Sequence, residues 1–137
     1  MKKTSVPLVI AFTPDYFIPA ATCLYSIITS MQAEGELHVI CLLSEELPER
    51  LKLKIQLIGE GRTCYSFVNL QGKLQHIYID QKYTEAASYR LLLPDLLPEY
   101  KKVIYIDCDI IVRNDLVQLY HSIDLGMNYL AAVFEAS

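Results

Sequence analysis

No uninterrupted apolar stretch in this chain of 137 residues approaches the length of about 20 residues that a membrane-spanning helix needs. The start of the chain resembles a signal peptide, but its apolar run contains Pro7 and leads into Thr13-Pro14 without a small-residue cleavage site. We therefore expect a buried first strand in this segment, and a soluble, cytoplasmic protein.

Clustered positive charge is also missing. The chain has 12 Lys and Arg residues against 16 Asp and Glu residues and a net charge of −4. Proteins that follow a phosphate backbone carry their basic residues in a stripe or patch, and here they are scattered. We expect no nucleic-acid partner.

Cysteine and histidine do not occur at the spacings of metal or redox motifs. The cysteines are far apart in apolar segments, which favours buried, reduced thiols. The histidines are isolated, which favours structural or surface roles. These residues are Cys23, Cys41, Cys64, Cys108, His38, His76 and His121.

What the sequence does contain is a large apolar fraction for its size. Hydrophobic residues make up 53% of the chain and charged residues 20%, and the mean hydropathy is +0.25. This composition excludes disorder, and the length predicts one domain. Part of the apolar surface is expected to be covered by a missing second half or by an oligomer partner.

Short apolar runs rich in β-formers alternate with segments of helical period, which predicts an α/β domain with a mostly parallel sheet. The predicted strands are Pro7–Phe12, Leu37–Leu43, Thr63–Leu70, Lys102–Ile106 and Asn128–Phe134, with Leu74–Ile79 as a strand or extended loop. The first predicted helix is Phe17–Met31, and the second is capped by Ser44 and ends at Gly59 and Gly61. A third helix is predicted over Thr84–Leu93, stopped by Pro94 and Pro98, and a short fourth helix runs from Asn114-Asp115 through Tyr120.

Two aspartates follow the last buried strand of this alternation, in the segment Ile106-Asp107-Cys108-Asp109-Ile110. If extended geometry persists there, Asp107 and Asp109 project to the same side while Cys108 points away. Their mutual repulsion is tolerable when a hard cation lies between them, and open parallel sheets bind ligands at this end of their strands. The pair therefore predicts a site for Mg²⁺ or Mn²⁺ that leaves positions open for phosphate oxygens.

Two alternatives stay open for this pair. One aspartate could cap a turn while the other faces solvent. In haloacid-dehalogenase-like phosphatases, a carboxylate pair after an apolar strand supplies a nucleophile and a general acid and base. Their motif normally lies near the chain start and is followed by Thr or Val, whereas Ile110-Ile111 follow here.

Three segments taken together resemble glycosyltransferase family 8, whose members are retaining enzymes of the GT-A fold. They are Ala11-Phe12-Thr13-Pro14-Asp15-Tyr16, Ser88-Tyr89-Arg90-Leu91, and the run from Lys102 to Arg113. The resemblance covers nearly the whole chain, in the family's order. It implies a Rossmann-like α/β/α sandwich that binds a nucleotide-diphospho-sugar.

The resemblance also implies roles for individual residues. Ala11, Thr13 and Asp15 would hold the uracil and ribose, although relatives often have an acidic residue where Thr13 stands. Arg90 would reach the diphosphate or donor sugar. Asp107 and Asp109 would be metal and ribose ligands, with the backbone of Cys108 against the nucleotide and Glu135 near the donor sugar. By this resemblance, Asp107, Asp109 and Arg90 are the candidate catalytic residues.

The full enzyme implied by this resemblance transfers a hexose from a UDP-sugar to a glycan or lipopolysaccharide acceptor, with Mn²⁺ or Mg²⁺ as cofactor. An Asn-Ala-Gly-like segment, a Gln-Asp pair and a late metal-binding His of the family are missing from residues 1–137. We therefore expect residues 1–137 to be the nucleotide-sugar-binding part without the acceptor-binding part, inactive alone and prone to self-association. A module that binds nucleotide without turnover is the alternative, and peripheral attachment of the full-length protein to the inner membrane is left open.

Overall fold

The computed structural model of the chain describes residues 5–32, 34–73, 93–128 and 131. The predicted strand or loop at Leu74–Ile79 lies outside the described residues, as do the predicted helix from Thr84 up to residue 92 and nearly all of the predicted last strand. In the described residues, no helix has the length and apolar character that crossing a membrane requires.

The described strands form one parallel sheet in the order β3-β2-β1-β4. Parallel strands that are covered on both faces are expected to be continuous apolar runs, and every residue of β1 is buried. The sequence predicted all of these strands to within two residues at each end. The strands are β1 (Val6–Phe12), β2 (Leu37–Leu43), β3 (Thr63–Asn69) and β4 (Ile104–Asp107).

Four helices accompany the sheet in the described residues. They are α1 (Phe17–Ser30), α2 (Glu49–Gln56), α3 (Leu93–Leu96) and α4 (Leu116–Ser122). The prediction of α1 is confirmed, with Pro19 in its first turn, where the missing N–H costs nothing. Asp115 caps α4 by accepting hydrogen bonds from the N–H groups of Val117 and Gln118, as expected for an aspartate before a helix.

One helix boundary was predicted wrongly, and the error lies at a proline. Ser44 does not cap α2, which begins at Glu49 after Pro48. The residue before a proline is disfavoured in helical conformation, so a helix could not run from Leu47 into Pro48. The predicted helix before Pro94 lies outside the described residues up to residue 92. Pro94 itself lies in the first turn of α3, where the N–H of Leu97 donates a 2.9 Å hydrogen bond to the carbonyl of Leu93.

Apolar side chains cover both faces of the sheet. On one face, Leu8 and Ile10 of β1 pack in a core with Leu24 and Ile27 of α1. On the other face, Val9 and Ala11 of β1 pack with Leu97, which follows α3. The sheet therefore lies between helices, which confirms the predicted three-layer α/β arrangement.

The cysteines are free thiols, as predicted, but they are not all buried. Burial raises the pKa of Cys23 to about 11 and that of Cys41 to about 12. Cys64 is exposed, because β3 is the outermost described strand on its side of the sheet. The expectation of burial is therefore wrong for Cys64.

Candidate functional site

The sheet order creates a switch point between β1 and β4. From β1 the chain crosses to β2 on one side, while β4 pairs with β1 on the other side. At such a point the connections leave the carboxyl ends in opposite directions, and the crevice between them is where open α/β sheets bind ligands. The carboxyl ends of β1 and β4 meet here, with Ala11 in register with Asp107.

The turn after β1 forms one wall of this crevice. Ala11 is buried, and Thr13 is half-buried with an extended backbone at φ −90° and ψ 159°. A 3₁₀ turn over Pro14–Tyr16 follows, closed by a 2.9 Å hydrogen bond from the N–H of Tyr16 to the carbonyl of Thr13. Asp15 is exposed on this turn. The structure thus brings Ala11, Thr13 and Asp15 to the end of the sheet where Asp107 lies.

The acidic pair forms the opposite wall, but its backbone is not extended throughout. β4 ends at Asp107, and Cys108 and Asp109 form a turn. The two carboxylates were predicted to project to the same side only if the backbone stayed extended from Asp107 to Asp109. The structure does not meet this condition beyond Asp107. Pairing with β1 ends at the Ala11–Asp107 pair, so no ladder holds the next residues extended.

The side chain of Cys108 does point away from Asp107, although Cys108 already lies in the turn. Cys108 packs against the core under α1, together with Ile104 and Ile106, whereas Tyr105 packs against the opposite core. Burial, and then the nearby carboxylate of Asp109, raises the pKa of the Cys108 thiol.

The carboxylates of Asp107 and Asp109 are both exposed. Within the described ranges, neither has a hydrogen-bond or ion-pair partner. The same ranges contain no cluster of three or more His, Cys, Asp or Glu side chains suited to a metal. Two free carboxylates nevertheless fit a hard cation that is otherwise bound by water and substrate phosphates, which is the usual environment of Mg²⁺.

Two predicted site residues, Arg90 and Glu135, lie outside the described residues. Sequence reasoning missed another group, the hydroxyls of Ser26 and Ser30, which bond the backbone of the segment after Asp109. The available signal was two serines four positions apart, on one face of α1. That spacing does not reveal which segment they contact.

The profile of glycosyl transferase family 8 matches residues 7–136. General stress protein A of Bacillus subtilis (strain 168) is 25% identical over 140 residues, which cover 99% of this chain and 49% of that protein. Glycosyltransferase GlyE of Streptococcus pneumoniae serotype 4 is 32% identical over 103 residues, which cover 68% of this chain and 23% of that protein. The chain thus spans about half or less of the length of these relatives.

Solved structures share the fold. The bifunctional glycosyltransferase WbbM matches with a TM-score of 0.77 and 23% identity, over 92% of this chain and 22% of that one. The galactosyltransferase LgtC, solved with donor and acceptor sugar analogs, matches with a TM-score of 0.70 and 21% identity, over 88% of this chain and 44% of that one. The α/β architecture is therefore that of GT-A glycosyltransferases. The profile match over residues 7–136 shows that the chain belongs to glycosyl transferase family 8.

Proposed function

We propose that this chain is the nucleotide-sugar-binding part of an enzyme that transfers a hexose from a UDP-sugar to a glycan or lipopolysaccharide acceptor with retention of configuration. Membership of glycosyl transferase family 8 supports the class of reaction. A haloacid-dehalogenase-like phosphatase is disfavoured, because the family profile covers both the turn after β1 and the acidic pair.

The observation that carries the proposal is the pairing of Ala11 with Asp107 at the switch point. It places the turn proposed for uracil and ribose beside the first carboxylate proposed for the cation. In a bound UDP-sugar the diphosphate lies between the nucleoside and the hexose. In the proposed complex, the nucleoside contacts Thr13 and Asp15, and the phosphates face Asp107 and Asp109.

Asp107 and Asp109 would hold Mn²⁺ or Mg²⁺, since exposed carboxylates suit both ions. When bound, the cation supplies positive charge that stabilises the diphosphate leaving group. Within the chain, Thr13 and Asp15 would orient the nucleoside, and the backbone of Cys108 would lie along it. Arg90 and Glu135 are proposed to contact the diphosphate and the donor sugar, as the resemblance implies.

Residues 1–137 are proposed to bind the donor, with acceptor binding supplied elsewhere. This chain spans 49% of General stress protein A and 23% of GlyE, and the described residues offer two carboxylates rather than a full ligand set. The second observation favours a second candidate for this chain, a module that binds nucleotide without turnover.

Calorimetric titration of UDP into the chain tests the proposal, in Mn²⁺, in Mg²⁺ and in EDTA. We expect binding with either cation and much weaker binding in EDTA. UMP, which lacks the second phosphate, is the ligand control and should respond less to the cation. Absence of UDP binding under all three conditions would refute the proposal.

A hydrolysis assay with UDP-glucose then separates the candidates. Slow release of glucose would support the transferase, because water would then replace the acceptor in the reaction. UDP binding without hydrolysis would support a module that binds nucleotide without turnover. Hydrolysis of simple phosphomonoesters would instead support the dehalogenase-like phosphatase.

A further inference from the structure

The segment from Cys108 to Asp115 has no regular secondary structure beyond its opening turn, yet it is attached to α1 at several points. A segment without a strand ladder must satisfy its backbone polar groups elsewhere. Here the side chains of α1 supply hydrogen-bond partners for that backbone, although α1 lies more than 80 residues earlier in the chain.

Val112 is the central point of attachment. Its N–H donates a 2.9 Å hydrogen bond to Oγ of Ser26, and its carbonyl accepts a 3.0 Å hydrogen bond from Oγ of Ser30. The Ser26 hydroxyl also donates to the carbonyl of Cys23 at 2.6 Å, so its single proton is used within α1 and its lone pair is directed at Val112. Two hydroxyls one helical turn apart therefore hold both backbone groups of one loop residue.

Further contacts to the same helix region lie on either side of Val112. Sγ of Cys23 approaches the carbonyl of Asp107 at 3.8 Å. The N–H of Gln32, just after α1, donates to Oδ2 of Asp115 at 2.9 Å. Asp109 lies between these points, exposed and without a polar partner in the described part of the chain.

We propose that Ser26 and Ser30 are positioning residues that fix the carboxylate of Asp109 for cation and nucleotide binding. This inference rests on the proposed function. The turn over Pro14–Tyr16 leads directly into α1, and the second half of α1 holds Val112, so one rigid helix sets the spacing between the two walls of the crevice. Without the hydroxyls, the loop from Asp109 to Val112 loses the anchor at its far end and samples more conformations, which weakens cation binding.

The test compares Ser26→Ala and Ser30→Ala with a matched control, Thr29→Ala. Thr29 lies on the same helix, but its hydroxyl bonds the carbonyls of Tyr25 and Ser26 within α1 and does not reach the loop. Ser30→Thr keeps the hydroxyl and should restore the behaviour of the parent chain.

The first readout is amide hydrogen exchange of Val112 in the cation-free chain. We expect exchange about fivefold faster in Ser26→Ala, the factor that corresponds to one ordinary hydrogen bond, and no change in Thr29→Ala. The second readout is the Mn²⁺ concentration that half-saturates UDP binding in calorimetry. It should rise about 10-fold in either alanine variant, while UDP binding in EDTA stays as in the parent.

The outcomes separate this inference from the function on which it rests. If the parent chain binds UDP without any cation dependence, the proposed cation site is wrong and the positioning role is overturned with it. If the parent shows the dependence but both serine variants match Thr29→Ala, only the positioning role is overturned. Unchanged exchange at Val112 overturns the inference as well, and if Ser26→Ala does not fold, the Ser30→Ala and Ser30→Thr pair decides.

Discussion

Replacing Asp109 by asparagine removes one negative charge from the acidic turn and little else. The carboxylate is exposed, and in the described residues it has no hydrogen-bond or ion-pair partner to lose. Exposed substitutions of this kind change the free energy of unfolding by at most about 0.5 kcal/mol. Relief of repulsion with Asp107 acts in the stabilising direction. We therefore expect Asp109→Asn to fold as stably as the parent chain.

The effect on cation-dependent UDP binding should be much larger. Groups that only orient metal ligands typically contribute 10- to 100-fold to metal affinity, and Asp109 is proposed as one of two direct carboxylate ligands. We expect the Mn²⁺-dependent part of UDP affinity to fall by more than about 100-fold, which is about 2.8 kcal/mol. This figure exceeds the expected change in stability severalfold, so loss of binding would not reflect unfolding.

The assay is calorimetric titration of UDP in Mn²⁺ for the parent, Asp109→Asn and a control, Asp124→Asn. Asp124 is also exposed, and its described hydrogen bond is a 2.8 Å contact accepted from the N–H of Gly126, which an amide oxygen can also accept. Both variants change the net charge from −4 by the same amount. Equal Mn²⁺ dependence in Asp109→Asn and the parent would refute the reasoning, and equal losses in both variants would point to overall charge instead.

Three further predictions concern stability and assembly. Asp115→Ala should lower the free energy of unfolding by about 2 kcal/mol, since it removes the cap of α4 and the hydrogen bond from Gln32. Asp115→Asn keeps the cap and should lower that free energy by about half as much, as measured by urea unfolding. Equal losses in the two variants would show that the cap contributes nothing. Burial lowers the pKa of His38 below 6.5, so the folded state binds its proton more weakly than the unfolded chain. This contribution to stability should be fully present well above the ordinary pKa of histidine and should be lost as the pH falls through the lowered pKa of His38. The substitution His38→Gln should remove this dependence from the urea midpoints. Self-association through exposed apolar side chains such as Ile111, which is 62% exposed, and Met127, which is 98% exposed, should appear in light scattering, and a clean monomer would count against it.

The central strands could be predicted from the sequence because buried strands consist almost entirely of apolar residues. β1 is a continuous apolar run, and β2 is apolar apart from His38, since helices cover both faces of the sheet at its centre. The resemblance rested partly on two short motifs at strand ends, Thr13 to Asp15 and Asp107 to Asp109, and the pairing of β1 with β4 brings both motifs to one end of the sheet. The order of the strands is not visible in any one segment, because it depends on which apolar runs pair.

The contacts that hold the acidic turn could not be predicted in the same way. Ser26 and Val112 are 86 residues apart, and nothing in either local sequence specifies the other. The start of α2 was predictable in principle, because Pro48 restricts Leu47, but the favourable capping pattern at Ser44 to Glu46 outweighed it. Leu47 is buried in the core before α2 begins, so tertiary packing also fixed this boundary.

The residue between the two aspartates, Cys108, helps to fix the register of β4. Ile104, Ile106 and Cys108 pack toward α1, whereas Val103 and Tyr105 pack toward the opposite core. If β4 slipped by one residue against β1, each of its side chains would move to the opposite face of the sheet. Asp107 would then enter the apolar core under α1, where burying an unpaired carboxylate costs free energy. A small apolar side chain at position 108 therefore favours the register in which Asp107 pairs with Ala11 and its carboxylate stays exposed. The same alternation that builds the core thus keeps the first proposed cation ligand at the mouth of the crevice.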